Sequence, residues 1–224
     1  MGINLRRLTN MAERPTIAVI DYRAGNLRSV LRALEKVGQT PVLIDTPEEL
    51  KQAHAIVFPG QGASPAAMRV LEAKGLVEPL REAILEGRPF LGICLGLQLL
   101  MDKSEEGDTK CLGVLPGTTR RLPEGLKVPH MGWNQAHFTQ AHPIFEGIPQ
   151  DSNFYFVHSY YADPADPSMV SAVTDYGVSF CSAVARGNMM AMQFHPEKSG
   201  DLGLQIYANF ARLASEAMVE SPWK

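Results

Sequence analysis

Apolar positions in the first half of the chain follow two rhythms that take turns. Thr16 to Ile20 is a short β-rich apolar run and predicts a buried strand. It stops at the turn Asp21-Tyr22-Arg23-Ala24-Gly25-Asn26. Leu27, Val30, Leu31, Leu34 and Val37 then recur at the spacing of one helix face, and Gly38 closes that helix. Pro41 to Ile44 predicts a second strand. Thr46-Pro47-Glu48-Glu49 is a capping box with proline at the first helical position, so a short helix follows. Ala55 to Phe58 predicts a third strand, ending in Pro59-Gly60-Gln61-Gly62. Helices are expected over Pro65 to Ala73 and Val77 to Leu85. Phe90 to Ile93 reads as a further strand, running straight into Leu95, Leu99 and Leu100 at helical spacing. Strands alternating with helices in this way predict an open, mostly parallel α/β sheet with helices on both faces. Function in such sheets sits at the carboxyl ends of the strands.

The rhythm changes after Lys103. Ser104 to Lys110 reads as a charged loop. Shorter alternating runs follow, with strands expected over Phe154 to Tyr161, Met169 to Val173, Val178 to Ala185 and Met189 to Phe194. Gly187-Asn188 marks a hairpin between the last two. This half reads as a smaller antiparallel or mixed sheet. A final helix is expected from about Leu204 to Met218, with Ile206, Phe210 and Leu213 on one face. No repeat or linker divides the chain, so residues 16–218 read as one domain. Residues 1–15 read as a polar, frayed extension, and Met11 is a second possible start.

Composition narrows the classes. The chain has 224 residues, Lys+Arg 21 against Asp+Glu 24, and a formal charge of −3. There is no basic excess to suggest a nucleic-acid partner. No apolar run approaches the ~18 residues of a membrane span, and the N-terminus has no secretory apolar core. Three cysteines, Cys94, Cys111 and Cys181, without metal-ligand spacing, fit a reducing cytoplasm.

Candidate chemistry gathers at three places. Gly92-Ile93-Cys94-Leu95-Gly96 stands at the strand-to-helix junction and has the Gly-x-nucleophile-x-Gly pattern of a nucleophile elbow, with cysteine as the nucleophile. A tight turn there crowds the neighbours of the strained central residue, and only small side chains fit. The turn also places the sulfur at a helix N-terminus, where free N–H groups favour a thiolate. A buried cysteine in an apolar run is equally an ordinary core residue. Second, His195-Pro196-Glu197 follows the last strand. Residues two apart in an extended segment face one way, so the carboxylate can orient the imidazole; alternatively, Glu197 is only a solvated charge. Third, the glycines of Pro59-Gly60-Gln61-Gly62 allow backbone N–H groups to turn towards a neighbouring site. With the N–H of Leu95, that of Gln61 or Gly62 would complete an oxyanion hole. A plain chain-reversing turn is the alternative.

Taken together, Gly-Ile-Cys-Leu-Gly-x-Gln, the Pro-Gly-x-Gly loop upstream and His-Pro-Glu-Lys-Ser downstream resemble the class I (triad) glutamine amidotransferases, from about Thr16 to Leu213. The resemblance implies a glutaminase of flavodoxin-like fold with Cys94 as nucleophile, His195 as general base and acid, and Glu197 as its orienting partner. It also implies glutamine binding at Gln98 and Gly60, and along His158, Ser159 and Tyr160. Asp21 to Val30, His130 to Asn134 and Tyr155 to Tyr160 narrow the resemblance to one branch, in which ammonia passes to a separate cyclase subunit, a (β/α)₈ barrel. The first stretch departs from that branch's usual form, which has glycine at the position of Arg23. In this branch Asn26, Met131, Trp133 and Lys198 match positions at the partner interface, although Met131 and Trp133 would by default be core residues.

The expected substrate is L-glutamine, with no metal or organic cofactor, because the triad supplies nucleophile, base and charge stabilisation. A barrel of about 250 residues has no room in a chain of 224, so the synthase would be a heterodimer with low glutaminase activity in the isolated chain. Two rivals stand beside this reading. One is a same-fold cysteine hydrolase that needs no partner, or a glutaminase serving another synthase. The other is a catalytically silent regulatory subunit.

Overall fold

The computed structural model describes residues 14–23, 25 and 27–220. Met11, Ala24 and Asn26 lie outside the described residues. Of the extension expected before Thr16, only Arg14 and Pro15 are described, and Arg14 Nη1 donates to Gly38 O at 2.6 Å.

The first half follows its two rhythms. β1 (Ile17–Ile20), α1 (Leu27–Lys36), β2 (Val42–Ile44), α2 (Pro47–Lys51), β3 (Ala55–Phe58), α3 (Ser64–Ala73), α4 (Val77–Leu85) and β4 (Phe90–Ile93) match the expected order. Thr46 caps α2, with Glu49 returning the bond, as the capping box requires. A single helical turn, α5 (Leu95–Gln98), follows β4.

The second half contains more strands than its pattern predicts. β5 (Lys103–Ser104) and β6 (Thr109–Lys110) bracket the charged loop, and β7 (Gly117–Arg121) and β8 (His130–Phe138) follow. β8 escaped the hydrophobic pattern because its outward positions carry Met131 and Trp133, which are 61% and 58% exposed, while His130 points inward. The strand expected over Phe154 to Tyr161 is two strands. β9 (Ser152–His158) pairs with β8, and β10 (Tyr160–Pro164) pairs with β7 and β12 (Ser179–Arg186). The chain changes partner at Ser159. β11 (Val170–Asp175), β12 and β13 (Met189–Met192) complete the strands, with β12 and β13 joined through Gly187-Asn188. Beyond them α6 runs Gly200–Glu220, starting four residues earlier than Leu204.

β2, β1, β3, β4 and β13 lie side by side, all parallel. From β13 the sheet continues through antiparallel β12 into β10 and β7. Strand alternation then divides the core into two layers. Ala18, Ile20, Ile56, Phe58 and Phe90 face α2, α3 and α4, burying Leu50, Leu71, Leu80 and Ile84. Ile17, Val19, Val57, Leu91 and Ile93 face α1 and α6, burying Val30, Leu34, Ile206, Tyr207 and Phe210. The carboxyl ends of β3, β4 and β13 therefore open on one edge, and Gly60, Cys94 and His195 follow those strands directly. Among the described residues, no helix is long and apolar enough to cross a membrane.

Candidate active site

The elbow is built by exclusion. Cys94 has φ +48°, a left-handed conformation that an L residue adopts only under constraint. A Cβ on Gly92 would lie 2.9 Å from the backbone of Gly96, and one on Gly96 would lie 2.8 Å from Phe58 O. A Cβ on Gly60 would stand 2.4 Å from Ile93 O and 2.8 Å from Cys94 Cβ. Three glycines thus let β3, the 59–62 loop and the elbow close on one another. The helix after the elbow differs from expectation. It is one turn long, so its dipole adds little charge stabilisation at the sulfur. The group that does reach the sulfur is a side chain: Gln193 Nε2 donates to Cys94 Sγ at 3.3 Å.

His195 Nδ1 donates to Glu197 Oε1 at 2.8 Å, and both side chains are 1% exposed. That fixes the tautomer and leaves Nε2 on the Cys94 side, without a hydrogen-bond partner at ordinary distance. Burial works against a charged imidazole here, but Cys94 in front and Glu197 behind outweigh it and hold the His195 pKa up at about 10. The site therefore favours an imidazolium beside the sulfur. Behind the carboxylate, Tyr207 of α6 is fully buried against Glu197. Burial, and then the Glu197 charge, raise its phenol far above the usual range. The tightest approach lies behind this turn: a Cβ on Gly203 would fall 1.9 Å from Pro196 O.

Nearly all the expected site residues line one cleft of about 350 Å³. Gly60, Gln61 and Gly62 line it after β3, Cys94, Leu95 and Gln98 at the elbow, and His158, Ser159, Tyr160 and His195 from the second half of the chain. Leu95, as the first residue of α5, has no intrahelical acceptor for its N–H. The Tyr22 hydroxyl lies 2.7 Å from Pro59 O and 2.8 Å from Gln61 O, and its ring stacks on Phe58. It clamps two carbonyls of the loop. Gln98 Nε2 donates to Tyr160 O at 2.8 Å and to Gln193 Oε1 at 3.2 Å. Both of its N–H groups are spent inside the protein, so towards a ligand Gln98 can only accept.

The wall at His158 is held by two histidines. His158 Nδ1 is 2.9 Å from Tyr160 O, which can only accept, so Nδ1 carries the proton. His158 Nε2 then accepts from His130 Nδ1 at 3.0 Å, and His130 Nε2 accepts from Asn134 Nδ2 at 3.3 Å. Burial, the largest cause, depresses the His158 pKa to about 3 and lowers that of His130. The pair is neutral.

Sequence reasoning missed Gln193, Tyr22, His130 and Glu106. Gln193 carried a usable signal: it is a polar residue ending an apolar strand, two before His195 and so on the same face. Glu106, read as part of a charged loop, lines the cleft and accepts the Ser64 N–H at 2.7 Å.

The described interface candidates Met131, Trp133 and Lys198 do not line the cleft. Met131 and Trp133 are exposed on β8, not in the core; Trp133 packs edge-on against Tyr155, and Lys198 Nζ sits 5.8 Å over the same ring. Arg23, where the resemblance led to an expectation of glycine, keeps a glycine-like φ of +68°, and its N–H is held by Asp21 Oδ1 at 2.8 Å. Burial raises the Cys111 and Cys181 thiols to about 12, consistent with inert core residues.

Comparison with known proteins agrees with this geometry. The sequence profile of class I glutamine amidotransferases matches residues 18–213. The chain is 52% identical over 199 residues to the imidazole glycerol phosphate synthase subunit HisH of Dehalococcoides mccartyi, covering 88% of this chain and 97% of the relative. It is 51% identical over 206 residues to that of Nostoc punctiforme, covering 90% and 98%. In fold it is similar to a crystal structure of a glutamine amidotransferase, with a TM-score of 0.71 at 23% identity over 89% of this chain and 98% of the other. It also resembles PurLQS from Thermotoga maritima, with a TM-score of 0.72 at 19% identity over 89% and 98%. An elbow cysteine facing a carboxylate-held histidine, on a chain that shares half its residues with such relatives over nearly their whole length, places this protein in the class I glutamine amidotransferases, in the group of the HisH subunits of imidazole glycerol phosphate synthase.

Proposed function

We propose that residues 16–218 act as a single glutaminase domain that hydrolyses L-glutamine through a γ-glutamyl thioester on Cys94. The observation that carries this reading is the alignment of Glu197, His195 and Cys94, with His195 raised to about 10 by its two neighbours. The thiolate attacks the side-chain amide carbon. The N–H of Leu95 and one from Gln61 or Gly62 receive the developing oxyanion. His195 Nε2 gives its proton to the departing ammonia, then accepts one from the water that hydrolyses the thioester. Glu197 keeps Nδ1 protonated throughout. Gln98 Oε1 and Glu106 are the acceptors placed to hold the substrate's amino group, and Gly60, His158, Ser159 and Tyr160 shape the cleft around it.

The ammonia passes to the cyclase subunit of imidazole glycerol phosphate synthase, in a one-to-one complex in the cytoplasm, for histidine biosynthesis. The exposed Met131 and Trp133, flanked by Tyr155 and Lys198, support β8 and β9 as the docking face, because large apolar side chains in contact seldom stay in water. Asn26 is a further residue proposed for the partner interface.

Cys94→Ala tests the reading in the complex. Glutamine-dependent synthesis is expected to fall to background, while synthesis from ammonium salts continues. Loss of both would make the chain a structural subunit. Isolated chain turning over glutamine as fast as the complex would overturn the coupling.

A further inference from the structure

A row of side-chain amides ends on the sulfur. Tyr160 O receives Gln98 Nε2 at 2.8 Å, the same nitrogen donates to Gln193 Oε1 at 3.2 Å, and Gln193 Nε2 donates to Cys94 Sγ at 3.3 Å. Gln193 has no exposed surface. The direction of this row is dictated from its far end. A backbone carbonyl can only accept, so Gln98 turns its nitrogen to Tyr160. Gln98 therefore needs an oxygen from Gln193, which leaves the Gln193 nitrogen facing the sulfur. An amide turned the other way would aim an oxygen at a thiolate. Val157 O, at 4.0 Å from Sγ, suits a thiol hydrogen and opposes a negative charge. With only one turn of helix behind the sulfur, the Gln193 N–H stands beside the His195 imidazolium as a second group on the sulfur that favours the charged form.

We propose that Gln193 is a catalytic residue whose side-chain N–H holds the Cys94 thiolate at rest and receives it again as the leaving group of thioester hydrolysis. This rests on the reading of Cys94 as the nucleophile. In the first half-reaction the sulfur's electron pair forms the C–S bond, and the C–N bond breaks with its pair on nitrogen, which takes the His195 proton and leaves as ammonia. The sulfur is then neutral, and the N–H···S bond is weak. In the second half-reaction water attacks, losing its proton to His195. The C–S bond breaks with its pair returning to sulfur, and the Gln193 bond regains its strength as that charge appears. In this second half-reaction an interaction that grows with the charge on the leaving sulfur lowers the barrier rather than simply tightening binding. Gln98 is the positioning residue in this arrangement, since it fixes which end of the Gln193 amide meets the sulfur.

The test uses Gln193→Met, which keeps volume and removes the donor, and Gln193→Glu, which keeps the shape but sets a carboxylate oxygen on the sulfur. Alkylation of Cys94 by iodoacetamide at neutral pH, without glutamine, is expected to slow about 10- to 100-fold, the contribution of a hydrogen bond to a charged group. The kcat of the complete synthase with glutamine should fall by a similar factor, with KM changed less than threefold, and Gln193→Glu should be the slower variant. Folded variants alkylated at the unaltered rate, with kcat within twofold, would overturn the proposal and leave Gln193 a packing residue. Should neither variant fold, the unmutated chain still decides: the Gln193 side-chain amide proton must shift in NMR when Cys94 is alkylated, and an unmoved resonance refutes the bond. Failure of the nucleophile reading shows separately, as glutaminase activity surviving in Cys94→Ala.

Discussion

The cleft has two sides that are held by different physics. On the elbow's side, Cys94 is fixed by exclusion: Gly60, Gly92 and Gly96 permit approaches that any Cβ would block. On the other side, His195 and His158 are fixed mostly by directed hydrogen bonds, from their rings to Glu197, to His130 of β8 and to the Tyr160 carbonyl of β10. Backbone against backbone gives a rigid, local constraint. Hydrogen-bonded side chains can be broken one at a time, and their strength depends on protonation. Cys94 is therefore set by shape, and the groups that surround it are set by charge and bonding.

Glycine substitution breaks both sides and should have the largest effects. Gly96→Ala is expected to cost about 3 kcal/mol or more, because its Cβ meets Phe58 O, which cannot move without disturbing β3. Gly203→Ala places its Cβ still closer to Pro196 O, so it should displace the turn carrying His195 and Glu197. Denaturant unfolding should show comparable losses of stability. If Gly203→Ala cost no more than an ordinary surface change, the His195 turn would not be wedged from behind as Cys94 is.

Acid is the next probe, and it should act on the bonded side alone. His158 has a folded pKa of about 3, below its ordinary 6.5. The folded state prefers the neutral ring, so this contribution is whole above about pH 6.5 and is lost as the pH falls towards 3. The loss should reach a few kcal/mol on unfolding curves taken down that window. His158→Asn should flatten the acid limb relative to the parent chain. An unchanged limb would mean the histidine pair is not what acid breaks.

The smallest effect concerns the loop before α1. Arg23→Gly should stabilise the chain by ~0.5–1 kcal/mol, since glycine adopts φ +68° without strain but also gains freedom when unfolded. Thermal unfolding checks the sign. A destabilised variant would show that the Arg23 side chain contributes more than its backbone costs.

Apolar runs of four or five residues, amphipathic spacing and the Thr46 capping box fixed the order of β1 to β4 with their helices, because each of those signals is local. The elbow was legible for the same reason: its glycines and cysteine lie within five residues of each other. His195 and Glu197 were legible because an extended chain places residues two apart on one face. β8 was not legible, since its outward apolar residues reverse the usual polarity of a surface strand. Nor did any pattern foretell that the strand expected across Ser159 divides there between two partners.

The sequence by itself determined the parallel half of the fold and the elbow, and it singled out Cys94, His195 and Glu197. Tertiary structure alone decided that α5 is a single turn, that Gln98 spends both N–H groups internally, and that Gln193, not a helix dipole, meets the sulfur. The reason is one of range. Steric and periodic constraints act between neighbours in the chain and leave a pattern there. A hydrogen bond between Gln193 and Cys94, or between His130 and His158, joins residues far apart in sequence and exists only once the sheet has brought their strands together.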